Sequence, residues 1–202
     1  MKETTIRTVV VLVALSLAVA LAQEKKQPAP PPMDQKQAME MMQKLATPGE
    51  GHKKLETLVG SWQAKNTLWM APGQTPTVSE GSSEHRWVLG GRFLEQKFEG
   101  TFMNMPFSGI GYTGYDNYKK KYVAVWMDNF GTMMLHTTGS FDAAGKVLSS
   151  SGQMDDFTTG KVIRLRERMT IVSKDEVVME MFGPAPDGKE FRMMELRYTR
   201  KK

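Results

Sequence analysis

Cysteine is absent from the 202-residue chain. That absence excludes disulfides and thiolate metal sites, and it leaves no residue to carry a lipoprotein anchor. Long apolar runs are absent too. The longest, Val9 to Leu21, is about a dozen residues, against the roughly 20 that an apolar helix needs to span a bilayer. No stretch of one charge sign stands out. The 27 basic and 22 acidic residues are interspersed and give a formal net charge of +5. A nucleic-acid surface needs Lys and Arg gathered in a patch or stripe, so no nucleic-acid partner is expected. There is no Gly-x-Ser-x-Gly, no His-Glu-x-x-His and no P-loop. Hydrolase, zinc-peptidase and phosphotransferase readings therefore lack a starting motif. Nothing in the composition points to a cofactor.

What is present begins with "MKETTIRTVVVLVALSLAVALAQ". A basic start at Lys2 and Arg7, an apolar core and Ala20-Leu21-Ala22 read as a signal peptide over residues 1–22, cleaved before Gln23. The expected location is outside the cytoplasm, periplasmic or secreted, with no transmembrane segment after cleavage. An uncleaved anchor is the alternative. Cleavage removes Lys2, Glu3 and Arg7 and lowers the formal charge to +4. A domain without disulfides must rely on its core, and about 180 residues suffice for one. Residues 23–48 read as a Pro-rich tether, "QEKKQPAPPPM", and a short helix from an Asp34 N-cap to Ala46, with Met39, Met42 and Leu45 on one face. Residues 49–202 form the remaining domain, opening with a second short helix within 51–58.

After Gly60 the polarity alternates. Segments of eight to twelve residues are separated by turn signals such as "APGQTP", "YDNYKKK", "DAAG" and "PAPDGK". About ten strands result, with no helical period among them. So many consecutive antiparallel strands expose two edges unless the sheet closes, and the expected fold is an all-β, antiparallel up-and-down barrel behind short N-terminal helices. The period of two assigns faces. In the segment 161–172, Arg164, Arg166 and Arg168 share the side that must meet water, so Ile163, Leu165, Met169 and Ile171 face in, and Glu167 with them. In the last strand both faces are mixed.

Gly60-Ser61-Trp62 at the start of the first strand resembles the signature of lipocalins and the wider calycin group. The resemblance implies that Trp62 closes one end of the barrel beneath an arginine from a late strand, Arg197 or Arg200, as a cation–π pair. Three longer stretches, "EHRWVLGGRFLEQKFEG", "PFSGIGYTGYDNYKKKYVAVWMDNFGT" and "PDGKEFRMMELRYTR", resemble the bacterial family catalogued as domain of unknown function 1579. That likeness covers residues 52–200 and implies a calycin-like barrel, with no catalytic residue to carry over. Some calycin-like barrels hold haem through a strand histidine. Their glycine-rich opening and C-terminal histidine are not found here.

Several motifs invite chemistry. "GIGYTG", Gly109 to Gly114, has the letters of a dinucleotide fingerprint, but a turn and a strand follow it where a helix is required. Its glycines read as sites of strand coiling or close approach. Of the three histidines, His52 is expected to be exposed, His85 shares a strand face with Trp87, and His136 lies mid-strand. Seventeen methionines allow a soft-metal reading, yet adjacent pairs such as Met133-Met134 point to opposite faces, which favours core filling. Glu167 and Asp155-Asp156 are the acidic candidates. The carboxyl of Glu167 inside an apolar wall is expected to pair with Arg197 or Arg92, or to join a water network. Together these features point to binding of a small apolar or amphipathic ligand inside the barrel. Trp87, Phe98, Tyr112, Trp126 and Met154 are the candidate wall, and His136 and Glu167 the polar fixtures. Gly60, Trp62, Arg197 and Arg200 are the structural set. The alternatives are a barrel enzyme using Glu167 or His136 as acid or base, a haem- or metal-binding barrel, and a structural envelope protein with a solid barrel.

Overall fold

The computed structural model describes residues 33–156 and 159–202. The expected signal peptide and nearly all of the Pro-rich tether fall outside them. Helix α1 (Gln35–Ala46) is opened by a reciprocal cap: the Gln37 N–H donates to the Asp34 carboxylate at 2.8 Å, and the Asp34 N–H donates to the Gln37 side chain at 3.2 Å. The methionine face of α1 finds no core. None of its residues is buried, and Met39 and Met42 are exposed. Its end is held by Asn117, whose amide donates to the carbonyls of Leu45 and Thr47. The second expected helix is split into a single α-turn, α2 (Glu50–Lys53), and a 3₁₀ turn, Glu56–Leu58. This split drops Leu55 and Leu58 onto one end of the barrel, where both are buried.

Ten strands follow in order: β1 (Gly60–Leu68), β2 (Thr77–Val88), β3 (Phe93–Phe102), β4 (Met105–Asp116), β5 (Lys121–Asp128), β6 (Leu135–Phe141), β7 (Val147–Asp156), β8 (Lys161–Ser173), β9 (Glu176–Pro184) and β10 (Glu190–Arg200). Each pairs antiparallel with the next, and β10 returns to β1 through Ala64↔Tyr198 and Asn66↔Leu196. The sheet is a closed barrel, and neither edge is left open. The helical segment and the turns β2–β3, β4–β5, β6–β7 and β8–β9 lie at one end, the floor. The other five turns form the mouth.

Register carries the inner face from strand to strand. Trp62 stands opposite Ser83, Gln96 opposite His85, Trp126 opposite Gly111, and Glu167 opposite Ser150 and Met181. The arginines of β8 face out as expected. Arg166 forks onto Glu190, and Arg168 pairs with Glu180. The mixed polarity of β10 has a local cause: a register shift between Arg192 and Met194 breaks the alternation.

Candidate functional site

The floor is built first, by sequence-local contacts. Trp62 is 1% exposed, and its indole N–H donates to the Leu58 carbonyl at 2.8 Å. The Arg200 guanidinium lies 4.1 Å from the Trp62 ring centroid and donates to the carbonyls of Val59 and Thr57, both at 2.7 Å, and of Lys174 at 2.9 Å. Between the two candidate arginines the structure selects Arg200. Arg197 stands on the outer face, paired with Glu176 and Glu195. Gly60 makes room for this clamp. Its φ is +121°, and a Cβ there would sit 2.6 Å from the Arg200 guanidinium. Leu55, Leu58, Ala64, Leu94, Tyr122, Val177 and Tyr198 complete a packed layer.

Above the floor the inner face behaves differently. Gln96, Thr113, Ala124, Ser150 and Glu167 point inward by register, yet each is only half-buried, as are Trp126, Met154 and Met181 nearer the mouth. These residues line the lumen of the barrel above the floor. Two aromatic rings shape its wall. Trp126 lies flat against Gly109 and Gly111, where any Cβ would press on the indole, and it stacks on Phe107 at 6.5 Å. Phe98 fills the space over Gly81 and Gly100, with a Cβ at Gly81 only 2.6 Å from its ring. The glycines of "GIGYTG" thus serve a close approach of side chains. Two further clefts, each of about 270 Å³, lie at the rims. One, at the floor, is bordered by Lys54, Tyr115, Lys120 and Phe141. The other, at the mouth, is bordered by Trp69, Pro72 and Arg192.

Polar groups line the lumen in two sets. The Ser150 hydroxyl donates to Glu167 at 2.9 Å. Burial raises the Glu167 carboxyl above the usual range, and hydrogen bonds from Ser150 and Thr137 pull it part of the way back. Among the described residues no arginine pairs with it, which corrects the expected ion pair: Arg197 is outside and Arg92 donates to the Leu89 carbonyl at the floor rim. In the second set, Gln96 donates to the Tyr198 hydroxyl at 2.9 Å, and His85 Nε2 lies 2.9 Å from Ser83 Oγ. Ser83 donates its own proton to the Lys97 carbonyl at 3.1 Å, so His85 must donate from Nε2, and Nδ1 is left as an acceptor. Among protein groups, that Nδ1 and Asn66 Oδ1 are buried without a partner. Burial, with a smaller contribution from the nearby Arg200 charge, lowers the His85 pKa to about 4.

The sequence-predicted wall divides. Phe98, Trp126, Met154 and Glu167 lie on the inner face, while Trp87 sits at the floor, where its indole donates to Glu56 at 2.7 Å. Tyr112 and His136 do not line the lumen. Tyr112 turns outward and donates to Glu95 at 3.0 Å, beside the Arg86–Glu95 ion pair, because the inner parity of β4 belongs to its odd-numbered residues. His136 is exposed on the outer face because Thr137 takes the inward position in β6. His52, expected in solvent, is buried. Its Nδ1 accepts from the Gly49 N–H at 3.1 Å, and its ring meets Tyr115 edge-on at 5.9 Å. Asp155 is exposed, and Asp156 accepts from the Thr159 hydroxyl. Ser83, Gln96, Thr137, Ser150 and Tyr198 were missed by sequence reasoning. For Ser83, Gln96 and Ser150 the signal was parity, since each shares a strand face with a residue already placed inward; Thr137 and Tyr198 lie in strands whose parity the sequence left open or misassigned. Among the described residues, no three His, Asp or Glu side chains gather as a metal site.

Comparison with known proteins agrees with this architecture. The family model described as "Protein of unknown function (DUF1579)" matches residues 47–200. Among solved structures, Rv2717c from M. tuberculosis superposes with a TM-score of 0.58 at 15% identity, covering 77% of this chain and 100% of that one. The S-type phycobiliprotein lyase CPES from Guillardia theta superposes with a TM-score of 0.51 at 10% identity, covering 77% of this chain and 99% of the other. Both likenesses are of fold. No curated protein matches the sequence.

Proposed function

Since the chain belongs to the DUF1579 family, whose description names no activity, we propose from its geometry that it binds a small apolar or amphipathic molecule inside the barrel, admitted at the mouth. One observation supports the reading: Gln96, Thr113, Ala124, Ser150 and Glu167, inward by register above the floor, are only half-buried, although Phe98, Thr137 and Leu165 on the same face are buried. Trp126, Phe98 and Met154 give the ligand apolar wall, and flexible methionine side chains adapt to its shape. Glu167 and His85 fix its polar end. A carboxyl held by Ser150 and Thr137 serves as an anchor, and His136, on the outer face, does not join it as an acid–base partner. The mouth suits apolar traffic: Met70, Met103, Phe130, Met133 and Met134 are exposed there. The chain works as an exported protein in this reading. Mass spectrometry of protein isolated from its own host tests both parts. A mature N-terminus at Gln23 and a co-purifying apolar compound, lost on denaturation, are the expected results. A protein free of any small molecule that also leaves the Trp126 fluorescence unmoved by amphipathic probes contradicts ligand binding.

A further inference from the structure

We propose that the floor end of the barrel docks on an anionic lipid surface. The two ends differ in charge. The floor turns, residues 89–92, 117–120, 142–146 and 174–175, hold Arg92, Lys119, Lys120, Lys146 and Lys174 against Asp142 and Asp175. Among the described residues, the chain between strands at the mouth, residues 69–76, 103–104, 129–134, 159–160 and 185–189, holds one base, Lys189, and one acid, Asp187. Both acids of these turns are engaged internally. Asp142 accepts from the N–H groups of Lys146 and Val147, and Asp175 lies 3.4 Å from the Arg200 guanidinium. The turns of this end hold five basic residues against two acidic, and the helical segment 50–58 adds Glu50 and Glu56 against Lys53 and Lys54, so an excess of three positive charges remains.

Apolar groups stand among those cations. Leu89 is 71% exposed and Tyr118 78% exposed, each at the tip of its turn, next to Arg92 and to Lys119 and Lys120 respectively. Leu89 is held at φ +48°, the first of three left-handed residues continuing through Gly90 and Gly91. Glycine or asparagine adopts that backbone more readily than leucine, and no packing in the fold rewards the leucine side chain. An acyl layer would. The tyrosine ring suits the headgroup level, and lysines around it suit anionic lipid. The exposed methionine face of α1 is tied to the same end through Asn117. Apolar tips inside a basic ring favour a lipid surface over a nucleic-acid backbone, which offers no place for leucine. This docking leaves the mouth facing away from the lipid and stands apart from the chamber reading.

The test is cosedimentation of protein isolated from its own host with vesicles of phosphatidylcholine alone or with phosphatidylglycerol added. Tighter binding to the anionic vesicles, weakening as salt rises, is expected. Lys119→Glu with Lys120→Glu should cut binding to them by about tenfold or more and erase the difference between vesicle types. Leu89→Asn keeps the left-handed turn and should weaken anionic-vesicle binding severalfold with an unchanged melting temperature, which separates insertion from folding. Equal binding to both vesicle types overturns the proposal, as does unchanged binding by the charge-reversed protein. Retention by duplex DNA in place of anionic vesicles also overturns it.

Discussion

The floor and the chamber use the same ten strands and the same alternation, yet they are built for different ends. At the floor, side chains from the helical segment plug the cylinder, and Arg200 ties Trp62 to three backbone carbonyls of the entering and neighbouring turns. A few residues above, Gln96, Thr113, Ala124, Ser150 and Glu167 line the inner face and are only half-buried, with Phe98, Thr137 and Leu165 buried on the same face. The difference teaches that closure of a barrel and filling of a barrel are separate problems. Register solves the first everywhere; large side chains solve the second most completely at the floor.

The comparison can be broken most forcefully at its base. Trp62→Ala removes the ring from between Leu58 and Arg200 and should cost about 3–5 kcal/mol, read as a shift in the urea midpoint. Acid titration comes next. His85 is held neutral with a pKa of about 4, against 6.5 for the free side chain. Between those values the unfolded chain takes up a proton that the folded chain refuses. Stability should therefore fall as pH drops from about 6.5 to about 4, by up to about 3 kcal/mol, and level off below. Glu167 acts in the opposite sense: its raised carboxyl makes stability fall as pH climbs from the ordinary glutamate value through the raised one. Urea midpoints across pH, with His85→Gln flattening the acid limb and Glu167→Gln the other, check both signs.

Gly109→Ala sharpens the chamber side. The added methyl meets the Trp126 indole and should cost about 1–3 kcal/mol while shifting the tryptophan emission. Met154→Ala, in the open part of the wall, should cost under about 1 kcal/mol, well below the usual penalty for a packed methionine, because the site is not closed around it. His136→Ala, on the outer face, should change stability by no more than about 0.5 kcal/mol and should not affect ligand binding.

Much of this was legible in the chain. The closing pair β1–β10 follows from strand number and the need to cover edges, and the three arginines of β8 fix its parity so firmly that Glu167 had to point inward. Where polarity does not differ between faces, parity was lost. In "GIGYTGY" the inward positions include Gly109 and Gly111, and the outward Tyr112 looks more like core than they do; the reason lies on β5, in the ring of Trp126. In "LHTTG" two hydroxyls flank the centre, and only pairing to Gly152 places Thr137 inside and His136 outside. The burial of His52 rests on Tyr115, distant in sequence, and the choice of Arg200 over Arg197 on a register that the β10 bulge conceals.

Because the chain has no native cysteine, a single introduced thiol reports its own surroundings. Native-state labelling of Met154→Cys and Val177→Cys with a small water-soluble thiol reagent tests the division between floor and chamber directly. Rapid reaction at 154, slowed by an amphipathic ligand, with no reaction at 177 until the protein unfolds, is the predicted result. Silence at both positions in the folded protein would mean a barrel packed solid throughout and would contradict the account.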